Sequence, residues 1–130
     1  MAVTNVLASI AIRDLAAAIQ WYAALLGRPH DASPMEGLAE WSFDGGGWLQ
    51  VFVDADRAGT SSITLVVDDI EATRRSLAAA GHDSEWTFDG PTTSGTVVRD
   101  PDGNRVVFAR SNDPVINPSA AARMPTGRKE

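Results

Sequence analysis

Few side chains in this sequence could carry acid–base, nucleophilic or metal chemistry. There is no cysteine, which excludes thiolate catalysis, a disulfide framework and any Cys-held zinc or iron–sulfur site. The two histidines, His30 and His82, each stand just past a candidate helix. An imidazole near a helix C-terminus complements the helix dipole and is ordinarily structural. Glu36, Glu40 and Glu85 lie near candidate strands, and lone carboxylates are ordinarily solvated. No nucleophile, base and orienting group can be grouped into a catalytic set. The sequence does concentrate aromatic and weakly polar side chains: Trp41, Phe43, Trp48, Gln50 and Phe52. Such a set suits a pocket for a flat or hydrophobic organic molecule, with a few polar groups fixing its orientation. Two nearby tryptophans extend that chemistry to a cationic ligand through attraction to the ring faces. The same aromatics would also serve a plain core or an interface between chains.

The elements that must position these residues follow from periodicity. Residues 6–12 alternate, with Ile10 and Ile12 on one face and Ser9 and Ala11 on the other, as in a strand. Asp14 stands where a helix N-cap belongs, and Leu15, Ile19, Tyr22 and Leu26 then recur with helical spacing until Gly27. Residues 38–43 and 48–53 read as a hairpin across Asp44-Gly45-Gly46-Gly47. Residues 54–61 form a polar connector. The pattern then restarts: a strand at 62–67, Asp69 as cap, a helix marked by Ile70, Thr73, Leu77 and Ala80, and Gly81 as its stop. Strands are expected near 85–88, at 96–99 and at 105–109, the last two joined by Asp100-Pro101-Asp102-Gly103-Asn104. The restart is an internal repeat: Ile10, Ile12, Asp14 and Leu15 correspond to Leu65, Val67, Asp69 and Ile70, and Gln50-Val51-Phe52 to Val107-Phe108-Ala109. The reading is a single domain over 1–110, built of modules at about 5–53 and 62–110, with a loose tail over 111–130.

Seventeen acidic residues against eleven basic ones give a formal charge of −6, which disfavours binding to phosphate backbones. It mildly favours a cationic ligand at long range. No stretch approaches the roughly 18 apolar residues of a membrane span, and the N-terminus does not read as a signal peptide. The expectation is a cytoplasmic protein with neither a nucleic-acid nor a membrane partner.

Arg13-Asp14-Leu15 followed by Trp21-Tyr22-Ala23-Ala24-Leu25-Leu26-Gly27 resembles the opening motif of the glyoxalase/bleomycin-resistance/dioxygenase, or vicinal-oxygen-chelate, superfamily. Arg99-Asp100-Pro101-Asp102-Gly103-Asn104-Arg105 resembles its closing hairpin. The resemblance spans roughly residues 5–110. It implies an α+β fold of two βαβββ modules forming a cupped mixed sheet with helices outside, usually in a homodimer. It also implies metal ligands on the first and last strands of each module. Those places hold Leu7, Gln50, Ser62 and Val107. Leu and Val cannot ligate, and an amide and a hydroxyl are weak donors for a divalent ion. No metal and no cofactor are therefore expected.

With Gln50 facing inward, period-two alternation sends Trp48 and Phe52 inward too, with Leu7, Ser9 and Ala11 on the first strand. Ser62, Thr64 and Val66 follow on the repeat, and Val97, Arg99, Arg105 and Val107 are candidates on the last hairpin. Trp41 and Phe43 share that face if the glycine loop has an even length. The expected function is metal-free binding of an aromatic or hydrophobic ligand, a cationic one included, similar to the antibiotic-resistance branch of the family. One alternative is a glyoxalase-like lyase or isomerase working without the usual metal, with a carboxylate such as Glu40 doing the work. Another is an interaction module whose cup its own side chains fill.

Overall fold

Two aspartates start the two helices. Asp14 and Asp69 hold extended backbone, and their side chains accept hydrogen bonds from the N–H groups of Ala17 and Ala72 at 3.1 and 3.0 Å. Each thereby satisfies an N–H that the helix itself leaves open. Gly27 ends the first helix in the left-handed region, at φ 77°, where a side chain would be strained. In the computed structural model, which describes residues 1–114 and 116, the order is β1 (Leu7–Ile12), α1 (Leu15–Leu26), β2 (Leu38–Ser42), β3 (Trp48–Val53), β4 (Ser62–Val66), α2 (Ile70–Ala79), β5 (Trp86–Asp89), β6 (Thr93–Arg99) and β7 (Arg105–Ser111). The fold is α+β, as expected, with a three-stranded sheet β1-β3-β2 and a four-stranded sheet β4-β7-β6-β5. No helix among the described residues is long and apolar enough to cross a membrane. Most of the segment read as a tail lies outside the described residues; β7 itself runs on to Ser111, and Asn112 still donates to Thr92 O at 3.0 Å.

The described residues form two compact units, Met1–Ile63 with Arg99–Val106, and Thr64–Val98 with the described residues from Val107 onward. In the first unit β1 runs parallel to β3, and β2 antiparallel to it. The first repeat has one strand fewer than the second. In its place a single bridge joins Ala32 to Glu40. Pro29 and Pro34 flank this segment, and a residue without an N–H cannot extend a ladder.

The core of the first unit is apolar around one polar centre. Ile10, Ile12, Leu49, Val51, Tyr22 and Trp41 are fully buried. The Tyr22 hydroxyl donates to Asp100 Oδ2 at 2.7 Å. Asn104 donates through Nδ2 to the same oxygen and to Ala11 O, both at 2.8 Å, while its Oδ1 accepts from the N–H groups of Gly59 and Ser61. Asp100 Oδ1 accepts from the N–H groups of Asp102 and Asn104. The motif read as a turn is thus also a buried cross-link. Gly59 passes so near it that an added Cβ would lie 2.5 Å from Asp102 O.

In the second unit, α2 is fastened to β5 through Arg74, which donates to Phe88 O, Gly95 O, Asp89 and Glu71. Phe88 stacks on Trp86 with centroids 4.9 Å apart and covers Gly95, its partner on β6. A Cβ on Gly95 would lie 2.3 Å from the Phe88 ring and 2.8 Å from Phe108 O. Gly95→Ala is therefore expected to cost about 1–3 kcal/mol through overpacking, read as a lowered urea midpoint. An unchanged midpoint would show that this contact relaxes freely.

Burial, then the charge and hydrogen bond of Asp100, raise the Tyr22 pKa far above its ordinary value of 10.0. A raised folded pKa means that this stabilisation is complete below pH 10.0 and is lost as pH rises beyond it, because only the unfolded chain releases the phenolic proton there. Tyr22 is the chain's one tyrosine, so phenolate absorbance reports it alone. Phenolate is expected to appear only together with unfolding. Tyr22→Phe should cost about 1–3 kcal/mol at neutral pH and flatten the alkaline limb. Phenolate formation in still-folded protein would refute the assignment.

Candidate functional site

Residues paired across a sheet project to the same side, so the register of the first sheet sorts its side chains. Leu7 pairs with Trp48, Ser9 with Gln50, and Ala11 with Phe52. On the other side of β3, Glu40 pairs with Gln50, Leu38 with Phe52, and Ser42 with Trp48. These residues form one face, and α1 packs on the other, where Tyr22 meets Trp41 with ring centroids 6.3 Å apart. On the face away from the helix, Leu7 and Ser9 are exposed, and Trp48, Gln50, Phe52, Leu38 and Glu40 are half-buried.

The centre of this face is a short polar chain. Ser9 Oγ donates to Gln50 Oε1 at 2.9 Å, and Gln50 Nε2 donates to Glu40 Oε2 at 2.6 Å. The backbone of Glu40 is held from outside: its carbonyl accepts from the N–H groups of Asp31 and Ala32, and its N–H donates to Ala32 O. Asp31 in turn accepts from the Ser42 N–H at 2.7 Å and from Arg28, which also donates to Ser42 O. The Ser42 N–H foremost, then the Arg28 guanidinium, lower the Asp31 pKa to about 2. This clamp ties the exit of α1 to the end of β2 and fixes the strand that carries Glu40.

Two expected members of the face lie elsewhere. Trp41 pairs with Leu49, is wholly buried on the helix side, and donates its indole N–H to Arg28 O at 3.1 Å. Its ring also meets His30 edge-on. The Phe43 ring lies under the Arg28 guanidinium, 5.5 Å away. The reason is the turn. Phe43 N–H bonds to Gly47 O, so the loop proper is the odd-length Asp44-Gly45-Gly46, with Gly46 at φ 96°. An odd loop reverses the parity expected for β2. It brings Leu38, Glu40 and Ser42 to the face instead, of which only Glu40 had drawn attention.

In the second sheet Thr64, on β4, is exposed and Val107, on the neighbouring β7, is half-buried. Ser62 is exposed at the start of β4. The first unit also has a cleft of about 90 Å³ between Ile12, Tyr22 and Pro101. It is well below the roughly 300–1,000 Å³ of small-molecule sites and lies over the buried Tyr22–Asp100 pair.

The residues at the four metal-ligand places do not fit a divalent ion. Leu7 and Val107 have no donor atom, and the Gln50 amide is engaged on both sides. Among the described residues no group of three or more His, Asp or Glu side chains converges as a metal site would require.

A family model described as a glyoxalase-like domain matches residues 7–108. The chain belongs to this family. Among solved structures, the glyoxalase/bleomycin resistance protein from Catenulispora acidiphila DSM 44928 is similar to this glyoxalase-like chain at 28% identity and a TM-score of 0.73, covering 83% of this chain and 98% of that one. TnmS3, an antibiotic binding protein from Streptomyces sp. CB03234, shares the fold at 22% identity and a TM-score of 0.73, covering 85% and 98%. Lactoylglutathione lyase from Agrobacterium tumefaciens does so at 18% and 0.68, covering 82% and 92%. No curated protein gives a significant sequence match.

The donor set predicts that dialysis against a chelator leaves the melting temperature unchanged and that native mass spectrometry finds no stoichiometric metal. A bound metal, or a melting temperature that drops on chelation and recovers with zinc or nickel, would show that other residues build a site.

Proposed function

We propose that this glyoxalase-like chain is a metal-free binding protein that holds an aromatic or hydrophobic organic ligand against the face of β1, β3 and β2 opposite α1. The observation that carries the reading is the arrangement of that face: Trp48 and Phe52 flank the Ser9–Gln50–Glu40 chain along β3. Flat apolar walls supply most of the contact, and the polar chain fixes orientation. The likeness to an antibiotic binding protein and to a glyoxalase/bleomycin resistance protein supports it at the level of fold and family. We also propose Ser62, Thr64 and Val107 as ligand-contacting residues of the second sheet, taken by itself. A cytoplasmic homodimer completes it. Val6 and Leu7 are 79% and 41% exposed, apolar surface that a second copy of the chain could cover.

A second reading is a lyase or isomerase that uses no metal. It is favoured by one fact, a carboxylate at the centre of the face with its backbone held on both sides. It requires that any turnover found in the wild type disappear in Glu40→Gln.

The binding reading is tested by calorimetric titration of the protein with 1-naphthalenemethanol, a neutral planar probe. Trp48→Ala is expected to weaken binding about tenfold or more, since a lost aromatic wall commonly costs more than 1 kcal/mol. Trp41→Phe should leave affinity unchanged while lowering the melting temperature. Equal affinities in wild type and Trp48→Ala would remove the reading.

A further inference from the structure

We infer that Glu40 is the specificity-determining residue of this face, and that it selects aromatic ligands bearing a protonated amine over neutral ones of the same shape. The inference rests on the binding reading above and narrows its ligand class. Among the described residues Glu40 has no cationic partner, whereas Asp31, Asp54, Glu71, Asp89 and Asp102 each pair with an arginine. Its one side-chain bond comes from a neutral amide, through Oε2. The other carboxylate oxygen accepts no hydrogen bond from the described residues. A half-buried carboxylate without a counter-charge is incompletely satisfied, and a desolvating ligand would make that state costly unless it brought a donor.

The surroundings specify what kind of donor fits. Glu40 pairs directly with Gln50, so Trp48 and Phe52 are its diagonal neighbours on β3. Diagonal neighbours lie roughly 7–8 Å away, within reach of an aromatic side chain. A ring lying on either wall can present an ammonium to the carboxylate across that gap, and ring faces themselves attract cations. The chain's formal charge of −6 adds long-range attraction of the same sign. A neutral hydroxyl in the same place would gain a hydrogen bond but no charge pairing.

The test uses a matched pair of probes, 1-naphthylmethylamine and 1-naphthalenemethanol, titrated calorimetrically at neutral pH against the full chain. The wild type is expected to bind the amine about tenfold or more tightly than the alcohol, as desolvated charge pairs do. Glu40→Gln, which keeps an acceptor for Gln50, should erase that preference by weakening amine binding far more than alcohol binding. If that variant does not fold, the wild type alone decides: the preference must vanish as pH is raised far enough to deprotonate the amine, because the neutral amine has no charge to pair with the carboxylate. Alcohol binding with no amine preference, or a preference that survives Glu40→Gln or deprotonation of the amine, overturns this inference and leaves the binding reading standing. Binding of neither probe removes both.

Discussion

The first unit depends on a buried carboxylate and amide that satisfy one another. Asp100 is 5% exposed and Asn104 fully buried, and neither could stay in an apolar core without partners. Between them they serve the Tyr22 hydroxyl from α1, Ala11 O on β1, the N–H groups of Gly59 and Ser61, and the N–H groups of their own turn. A network of this kind rigidifies only when every member is satisfied, and the loss of one leaves the others unpaired. The chain's path is correspondingly constrained. Gly59 must be glycine for two reasons, its φ of 91° and the Asp102 carbonyl against it. Through Ala11 the network also fixes β1, whose earlier residues Leu7 and Ser9 belong to the candidate site.

From β1 the constraint passes to β3 and β2 by register alone. Parallel pairing sets Ser9 beside Gln50, and the hairpin sets Gln50 beside Glu40. The polar chain then orients its own amide. With Nε2 toward the Glu40 carboxylate, Gln50 donates to a charge, and Oε1 is left to accept from Ser9. The flipped amide would set two acceptor oxygens against each other. The side chain at a place where the family resemblance implies a metal ligand is thus already satisfied within the sheet.

Much of this was legible in the sequence. Asp14 and Asp69 announced both helices, Gly27 ended the first, and β3 is found over the span that its alternation marked. The repeat gave the order of elements and the motifs gave the family. Less legible were features set by tertiary context. Asp100 and Asn104 read as turn formers because such residues ordinarily act locally. Their reach to Tyr22 and Ala11 spans most of the chain and leaves no local pattern. The bridge at Ala32 in place of a strand is likewise a matter of pairing that no local pattern in the sequence marks.

The error over Trp41 has a physical lesson for hairpins rich in glycine. Asp44-Gly45-Gly46-Gly47 permits several turn lengths, since each glycine tolerates positive φ. Only the bond from Phe43 N–H to Gly47 O selects the odd one. What biases the choice lies in β2 itself. In the observed register Ala39 and Trp41 meet the helix, and Trp41 finds both apolar cover and an acceptor for its indole N–H in Arg28 O. The other parity would drive Glu40 into that core and leave it there as an unpaired charge. A strand that alternates one carboxylate with a tryptophan therefore chooses its own face, and the glycines allow the turn to follow.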